Sequence, residues 1–223
     1  MLQIDTMMRY VLTILISVST CLSFISCGFK VPSIIKQEFK YCYDGKNTGI
    51  DSLINIHGYY SIGQTLDRSG TDAIYKHIID TFYLNFMFYQ DGTFLYNFGD
   101  YDNNIPEYFK NVIEVTNKGK KHWFYRNNKW GRYIVTNDTI KAQWYHMPCS
   151  LNDGWYDGEV WFKVINRNEL KKIFVPKAIN IKEKVDENLI PQVEYFPAKF
   201  ISVEILPKSN CKLKQEKWFW CNN

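Results

Sequence analysis

The sequence predicts an all-β protein with minor helix: an antiparallel, up-and-down barrel of about eight strands, preceded by a targeting segment. Three observations carry this. Aromatic residues make up 17% of the 223 positions, through Tyr 16, Phe 15 and Trp 7, and such rings favour pleated, half-buried strands. Apolar residues alternate at period two on either side of short polar turns, which is the hairpin pattern. These hairpins recur at regular spacing with almost no long helical pattern between them. That spacing suits a sandwich or a barrel, and closure into a barrel removes exposed edges.

The first 26 residues read as an address. Arg9 precedes an apolar run from Tyr10 to Ile25. The run matches a signal-peptide core and is short for a spanning helix, which needs about 20 apolar residues. Met7 and Met8 offer later starts that leave a segment headed by Arg9. The run ends Phe24-Ile25-Ser26-Cys27-Gly28. An apolar residue, a small residue and then Cys resembles the lipobox of bacterial lipoproteins. The resemblance implies acylation of the Cys27 thiol, cleavage just before it, and a membrane partner reached through the lipid. Two alternatives are an uncleaved anchor, with Cys27 an ordinary thiol, and acylation of Cys21. Gly28, where such lipoproteins carry Asp for inner-membrane retention, implies the outer membrane. The absence of acidic residues just after Cys27 favours its periplasmic face. The expected organisation is a signal peptide over 1–26, a lipidated N-terminus and tether over 27–54, and the barrel over 55–223.

Within the barrel, Ile56 to Ile62 reads as a first strand, and Thr71 to Asp80 as a short helix or a strand. Phe82, Leu84, Phe86 and Phe88 share one face. Asp91-Gly92 follows, then Phe94, Tyr96 and Phe98. Asp-Gly between alternating aromatic runs predicts a hairpin, because glycine tolerates the positive φ of the turn. A short helix is expected around Glu107 to Glu114, and strand again at Lys121 to Tyr125. Trp130 to Val135 and Ile140 to Trp144 form a second hairpin through Asn137-Asp138. Glu159 to Ile165 and Leu170 to Val175 form a third, with Val160, Phe162 and Val164 facing inward. After a charged stretch, Phe200 to Leu206 reads as the closing strand. A helical turn from Cys211 then leads to Trp218-Phe219-Trp220, packed on the barrel.

Gly58-Tyr59-Tyr60, Phe88-Tyr89-Gln90-Asp91-Gly92-Thr93-Phe94, Trp130-Gly131-Arg132-Tyr133 with Asp138-Thr139-Ile140, and Trp218-Phe219-Trp220 together resemble a group of uncharacterised bacterial lipoproteins with lipocalin-like barrels. The resemblance spans roughly residues 50 to 223. Tyr60 stands where true lipocalins carry Trp.

Net charge is +4 and scattered, which excludes a nucleic-acid partner as the reading. Mean hydropathy of −0.32 excludes a polytopic membrane protein. The four His, at 57, 77, 122 and 146, lie on separate segments, and no Cys-x-x-Cys, nucleophile elbow or phosphate-binding glycine loop is present. The expectation is therefore no catalytic residue, no metal and no cofactor. In an oxidising compartment Cys42, Cys149, Cys211 and Cys221 allow three pairings. Cys211 with Cys221, close in sequence, is the expected pair. Phe82, Phe86, Phe94, Tyr96 and Trp144 are candidates to line a cavity for a small apolar ligand, or simply to fill the barrel. Trp155, Tyr156 and Trp161 are candidates for a glycan-binding surface, with Trp161 facing outward unless the tether, loops or Trp218 cover it. The functional expectation is a non-enzymatic, lipid-anchored envelope protein with a binding or interaction role. The alternative is a carbohydrate-binding or envelope-complex assembly module.

Overall fold

In the computed structural model eight antiparallel strands close on themselves. The structure describes residues 31–67, 79–99, 104–146, 156–174, 179–180 and 193–221. The targeting segment, Cys27, Cys149 and Trp155 lie outside the described residues, as does most of the stretch from Thr71 to Asp80. A compact unit runs from Ser33 to Asn223.

The barrel strands are β1 (Gly58–Asp67), β2 (Ile79–Phe88), β3 (Thr93–Tyr96), β4 (Lys129–Thr136), β5 (Thr139–His146), β6 (Tyr156–Asn166) and β7 (Glu169–Phe174), closed by β10 (Ala198–Ser202). Each pairs with the next, and β10 pairs with both β7 and β1. Two short strands extend the wall: β8 (Ile179–Asn180) beside β6, and β9 (Val193–Tyr195) beside β1. This is the up-and-down closure that the hairpin spacing predicts.

Antiparallel order gives the barrel two unlike ends. One end carries the tight turns: Tyr89 to Gly92, Asn137-Asp138 and Arg167-Asn168. The other carries the long connections. Residues before 55 close the tight-turn end. A 3-10 turn, Ile50–Ser52, places Ile50 and Ile54 in the barrel core with no exposed surface. Arg167 donates to the carbonyls of Asp51 and Ser52 at 2.8 and 3.0 Å. The Tyr60 hydroxyl donates to the Arg167 carbonyl at 2.7 Å, so that phenol finds a partner although its ring is buried.

A second apolar layer lies outside β1–β3. After α1 (Ser33–Glu38), the main helix is α2 (Ile105–Asn117). Asn104 caps it by accepting from the Glu107 N–H, and Pro106 occupies the first turn. Ile105, Phe109 and Val112 lie on one face at helical spacing and are buried. Phe109 packs on Tyr59 and Phe98 from the outer side of the barrel. The outer residues Asn85 and Met87 of β2 are buried in consequence.

Two elements depart from expectation. The closing strand covers Ala198–Ser202 and ends before 203–206, rather than running from Phe200 to Leu206. Lys121 to Tyr125 is not a strand; Trp123–Arg126 forms a single helical turn, α3. The His122 Nδ1 accepts the Tyr125 N–H at 3.2 Å and starts the turn. Trp130 Nε1 donates to the Tyr125 carbonyl at 2.7 Å and ends it. Those side-chain hydrogen bonds outweigh the strand preference of the aromatic run.

Gly92 has φ +85° and donates to the Tyr89 carbonyl at 2.9 Å, as the Asp-Gly signal predicts. A Cβ there would lie 1.0 Å from Arg132 Nη1. Gly92→Val is therefore expected to lower stability by roughly 1–3 kcal/mol from backbone strain alone, with loss of the guanidinium's seat in addition. An unchanged denaturation midpoint would contradict this.

Candidate functional site at the long-loop end

The barrel interior changes character along its axis. Near the middle, rings pack on rings. Phe86 stacks on Phe162 with centroids 4.5 Å apart, and Phe88 stacks on Phe94 at 5.0 Å. Phe86 and Phe94 have 0% exposure. They pack as a layer of rings across the barrel interior. Phe82 belongs to the same strand, but its side chain is outside the described residues.

Towards the long connections the interior turns polar and cationic. Tyr96 and Trp144 stack face to face at 4.9 Å, and each keeps 8% exposure. Trp144 meets Tyr156 edge-on at 5.8 Å, and Tyr156 stacks on His146 at 4.3 Å. Gly158 makes room for the indole: a Cβ there would lie 2.5 Å from Trp144 Cζ2. Lys129 places its Nζ 5.8 Å from the Trp144 ring centroid, a cation–π approach. On the facing strand, Lys172 pairs across from inward-facing Phe162 and follows fully buried Leu170 at period two. Loss of hydration pushes its pKa down to about 8.

All four residues expected to line a cavity thus meet in one interior. Phe86 and Phe94 form its floor; Tyr96 and Trp144 form a wall near the long connections. The sequence analysis does not single out Lys129 or Lys172, and it weighs His146 only as one of four scattered His. The available signal was phase. Lys172 alternates with Leu170, and Lys129 with Gly131 and Tyr133, so each falls on an inward position of its strand.

Of the three aromatics expected on a glycan-binding surface, Trp155 lies outside the described residues, and the other two do not share a face. Tyr156 and Trp161 are an odd number of residues apart on β6 and so point to opposite faces. Trp161 does face outward, and the N-terminal segment partly covers it. Its Nε1 donates to Glu159 Oε1 at 2.6 Å, and the Tyr41 hydroxyl donates to the same carboxylate. Lys40 Nζ reaches Glu159 Oε2 at 2.9 Å, while Lys141 lies 4.1 Å over the indole. Burial alone would raise the Glu159 pKa, but the bonds from Tyr41, Lys40 and Trp161 hold it below its ordinary value.

The segments 38–44 and 211–221 lie along this outer wall. Gln143 accepts from the Lys40 N–H at 2.7 Å and donates to the Glu38 carbonyl at 2.8 Å. Buried Arg132 donates to the Cys42 carbonyl at 3.3 Å, to Asp44 Oδ1 at 3.0 Å and to the Asp91 carbonyl at 3.4 Å. Asp91 pairs with Lys214 and accepts from Thr93. Burial pushes the Asp91 carboxyl up, yet Lys214 and Thr93 bring it below its usual range. Asp157 lacks such help: it accepts from Gln143 Nε2 at 3.3 Å, and its Oδ1 has no partner among the described residues. Burial, then the Glu38 charge, raise its pKa.

The disulfide differs from the expected pair. Cys42 joins Cys221, with Cα atoms 4.8 Å apart, and Cys211 is a buried free thiol. Burial pushes the Cys211 thiol up to about 12. The reason is the path of the C-terminus. Two 3-10 turns, Lys212–Gln215 and Lys217–Phe219, carry the chain away from Cys211. Trp220 then forms a parallel bridge with Tyr43: the Tyr43 N–H donates to the Phe219 carbonyl at 2.7 Å, and the Cys221 N–H to the Tyr43 carbonyl at 2.9 Å.

Among the described residues, no three Asp, Glu, His or Cys side chains converge as metal ligands. Comparison with protein-family models, curated proteins and solved structures finds no match to the chain.

Lys172 gives a test with a defined sign. The unfolded lysine holds its proton up to about pH 10.4, whereas the folded one holds it only to about 8. Between those values the unfolded state binds more protons, so stability rises with pH; below about 8 the penalty is at its maximum. Lys172→Met is expected to raise Tm at pH 7, with an advantage that shrinks from about pH 8 to about pH 10. Melting curves across that range check it, and a pH-independent difference would contradict it.

Proposed function

We propose that this chain is a bacterial lipoprotein with a lipocalin-like barrel, held through Cys27 on the periplasmic face of the outer membrane. It works without catalysis, as a binding module whose long-loop end takes a small apolar ligand bearing an acidic group. One observation carries the ligand class: Tyr96, Trp144 and Tyr156 gather at one end of the interior with Lys129 over the Trp144 ring, and Lys172 faces the same interior from β7, opposite Phe162. Flat rings suit an apolar body, and the lysines suit an anion. The packed floor at Phe86 and Phe94 limits the ligand to this end, so a long chain threaded through the barrel does not fit. The Cys42–Cys221 pairing supports an oxidising compartment, in keeping with export.

Two measurements test the reading. Native mass spectrometry of the full acylated protein is expected to show a co-purified acidic amphiphile that Lys172→Met loses. A bound neutral glycan, or a ligand retained by that variant, would contradict it. Cys27→Ala is expected to abolish incorporation of a clickable fatty acid and to leave the precursor uncleaved. Label retained on the variant would remove the anchor from the account.

A further inference from the structure

Two large rings stand in solvent on α3. Trp123 is 51% exposed and Phe124 70%, and they meet edge to face with centroids 5.3 Å apart. A fixed mount presents them. Between them and the barrel, Tyr125 is fully buried; its hydroxyl bonds that of Tyr89 and donates to the Lys208 carbonyl at 3.2 Å. Asn127 Nδ2 donates to the Trp123 carbonyl at 3.1 Å, and Arg126 Nη2 to Gln215 Oε1 at 2.8 Å. The rings are therefore displayed by an anchored turn.

Along the chain from Asn117 to Arg132 the charge has one sign, with Glu114 and Glu216 at its margins. That stretch holds six basic residues and no acidic one. Lys129 faces the barrel interior and Arg132 is buried on the outer wall under the Cys42–Asp44 segment, but Lys120 and Lys121, just before Trp123, are exposed. Lys118 is spent on Glu114 at 2.6 Å. Arg126 extends the basic surface towards Lys212, whose pKa is lowered first by burial and next by that guanidinium. Paired exposed rings mark an interaction site more often than scattered single ones do. Aromatics flanked by lysines suit the boundary between lipid headgroups and acyl chains, where the rings insert and the cations meet anionic headgroups.

We infer that Trp123, Phe124, Lys120 and Lys121 form a docking surface for an anionic phospholipid bilayer. The surface orients the barrel on the membrane. It adds a second contact to the lipid anchor proposed above but does not depend on it, since the charge and the rings belong to the folded domain. A single lipid chain binds only marginally, and a basic patch beside it strengthens attachment.

The test uses the full chain on vesicles with brominated acyl chains, made of phosphatidylcholine alone or mixed with phosphatidylglycerol. Trp123→Phe identifies the emission of Trp123, and vesicle flotation reports overall attachment. The expected result is quenching of Trp123 on the phosphatidylglycerol vesicles, weaker on phosphatidylcholine and at high salt. Phe124→Ser, and Lys120→Glu with Lys121→Glu, are expected to abolish it while leaving Tm unchanged. A chain that floats but shows no Trp123 quenching keeps the anchor and overturns the docking surface. Quenching in Cys27→Ala, without acylation, supports the surface whatever becomes of the anchor. Equal quenching on both vesicles would overturn the anionic preference. Self-association of the chain that Phe124→Ser abolishes, with no response to either vesicle, would assign the face to a second copy and overturn the proposal.

Discussion

The buried guanidinium of Arg132 holds together three parts of the chain that are far apart in sequence. It lies against Gly92 in the first hairpin turn, takes the Cys42 carbonyl and Asp44 from the N-terminal segment, and touches the Asp91 carbonyl. Asp91 in turn takes Lys214 from the C-terminal segment. The two terminal segments are thus fastened at one hub, and the Cys42–Cys221 bond joins them across a sequence separation of 179. Closing so long a loop restrains the unfolded chain by about 5 kcal/mol in the chain-entropy account. Removing the Asp44 carboxylate would leave the buried Arg132 guanidinium without that counter-charge, which costs more than the pair itself contributes.

This belt explains why the outer wall of β4–β6 carries polar side chains that are nevertheless buried. Arg132, Gln143 and Glu159 occupy the outward positions of their strands, where polarity normally means contact with water. Here the terminal segments lie over them and supply carbonyls, N–H groups and ammonium groups in place of water. The belt and the 3-10 turn at Ile50 seal one wall and the tight-turn end. The lysines and loosely buried rings are left at the opposite end, and the Trp123–Phe124 pair on the surface.

Much of the barrel was legible because period two is a local signal. The Asp91-Gly92, Asn137-Asp138 and Arg167-Asn168 turns sit where polar pairs interrupt alternating apolar runs, and the inward phases of Phe86, Phe94 and Phe162 follow directly. Lys121 to Tyr125 was misread because its fate rests on two side-chain hydrogen bonds, from His122 and Trp130, that no periodicity encodes. The inward lysines were readable from phase alone, yet charge drew attention away from them. Pairing of the cysteines was not legible. Proximity in sequence favours Cys211, whereas the native pair depends on where the 3-10 turns send the last ten residues.

The central claim is that the segments 38–44 and 211–221 are bound to each other on the barrel wall. Peptide mapping of the protein under non-reducing conditions tests it most directly, with free thiols alkylated after unfolding. The account predicts one linked fragment containing Cys42 and Cys221, and Cys211 recovered in alkylated form. A fragment linking Cys211 to Cys221, or Cys42 and Cys221 both recovered as free thiols, would contradict it.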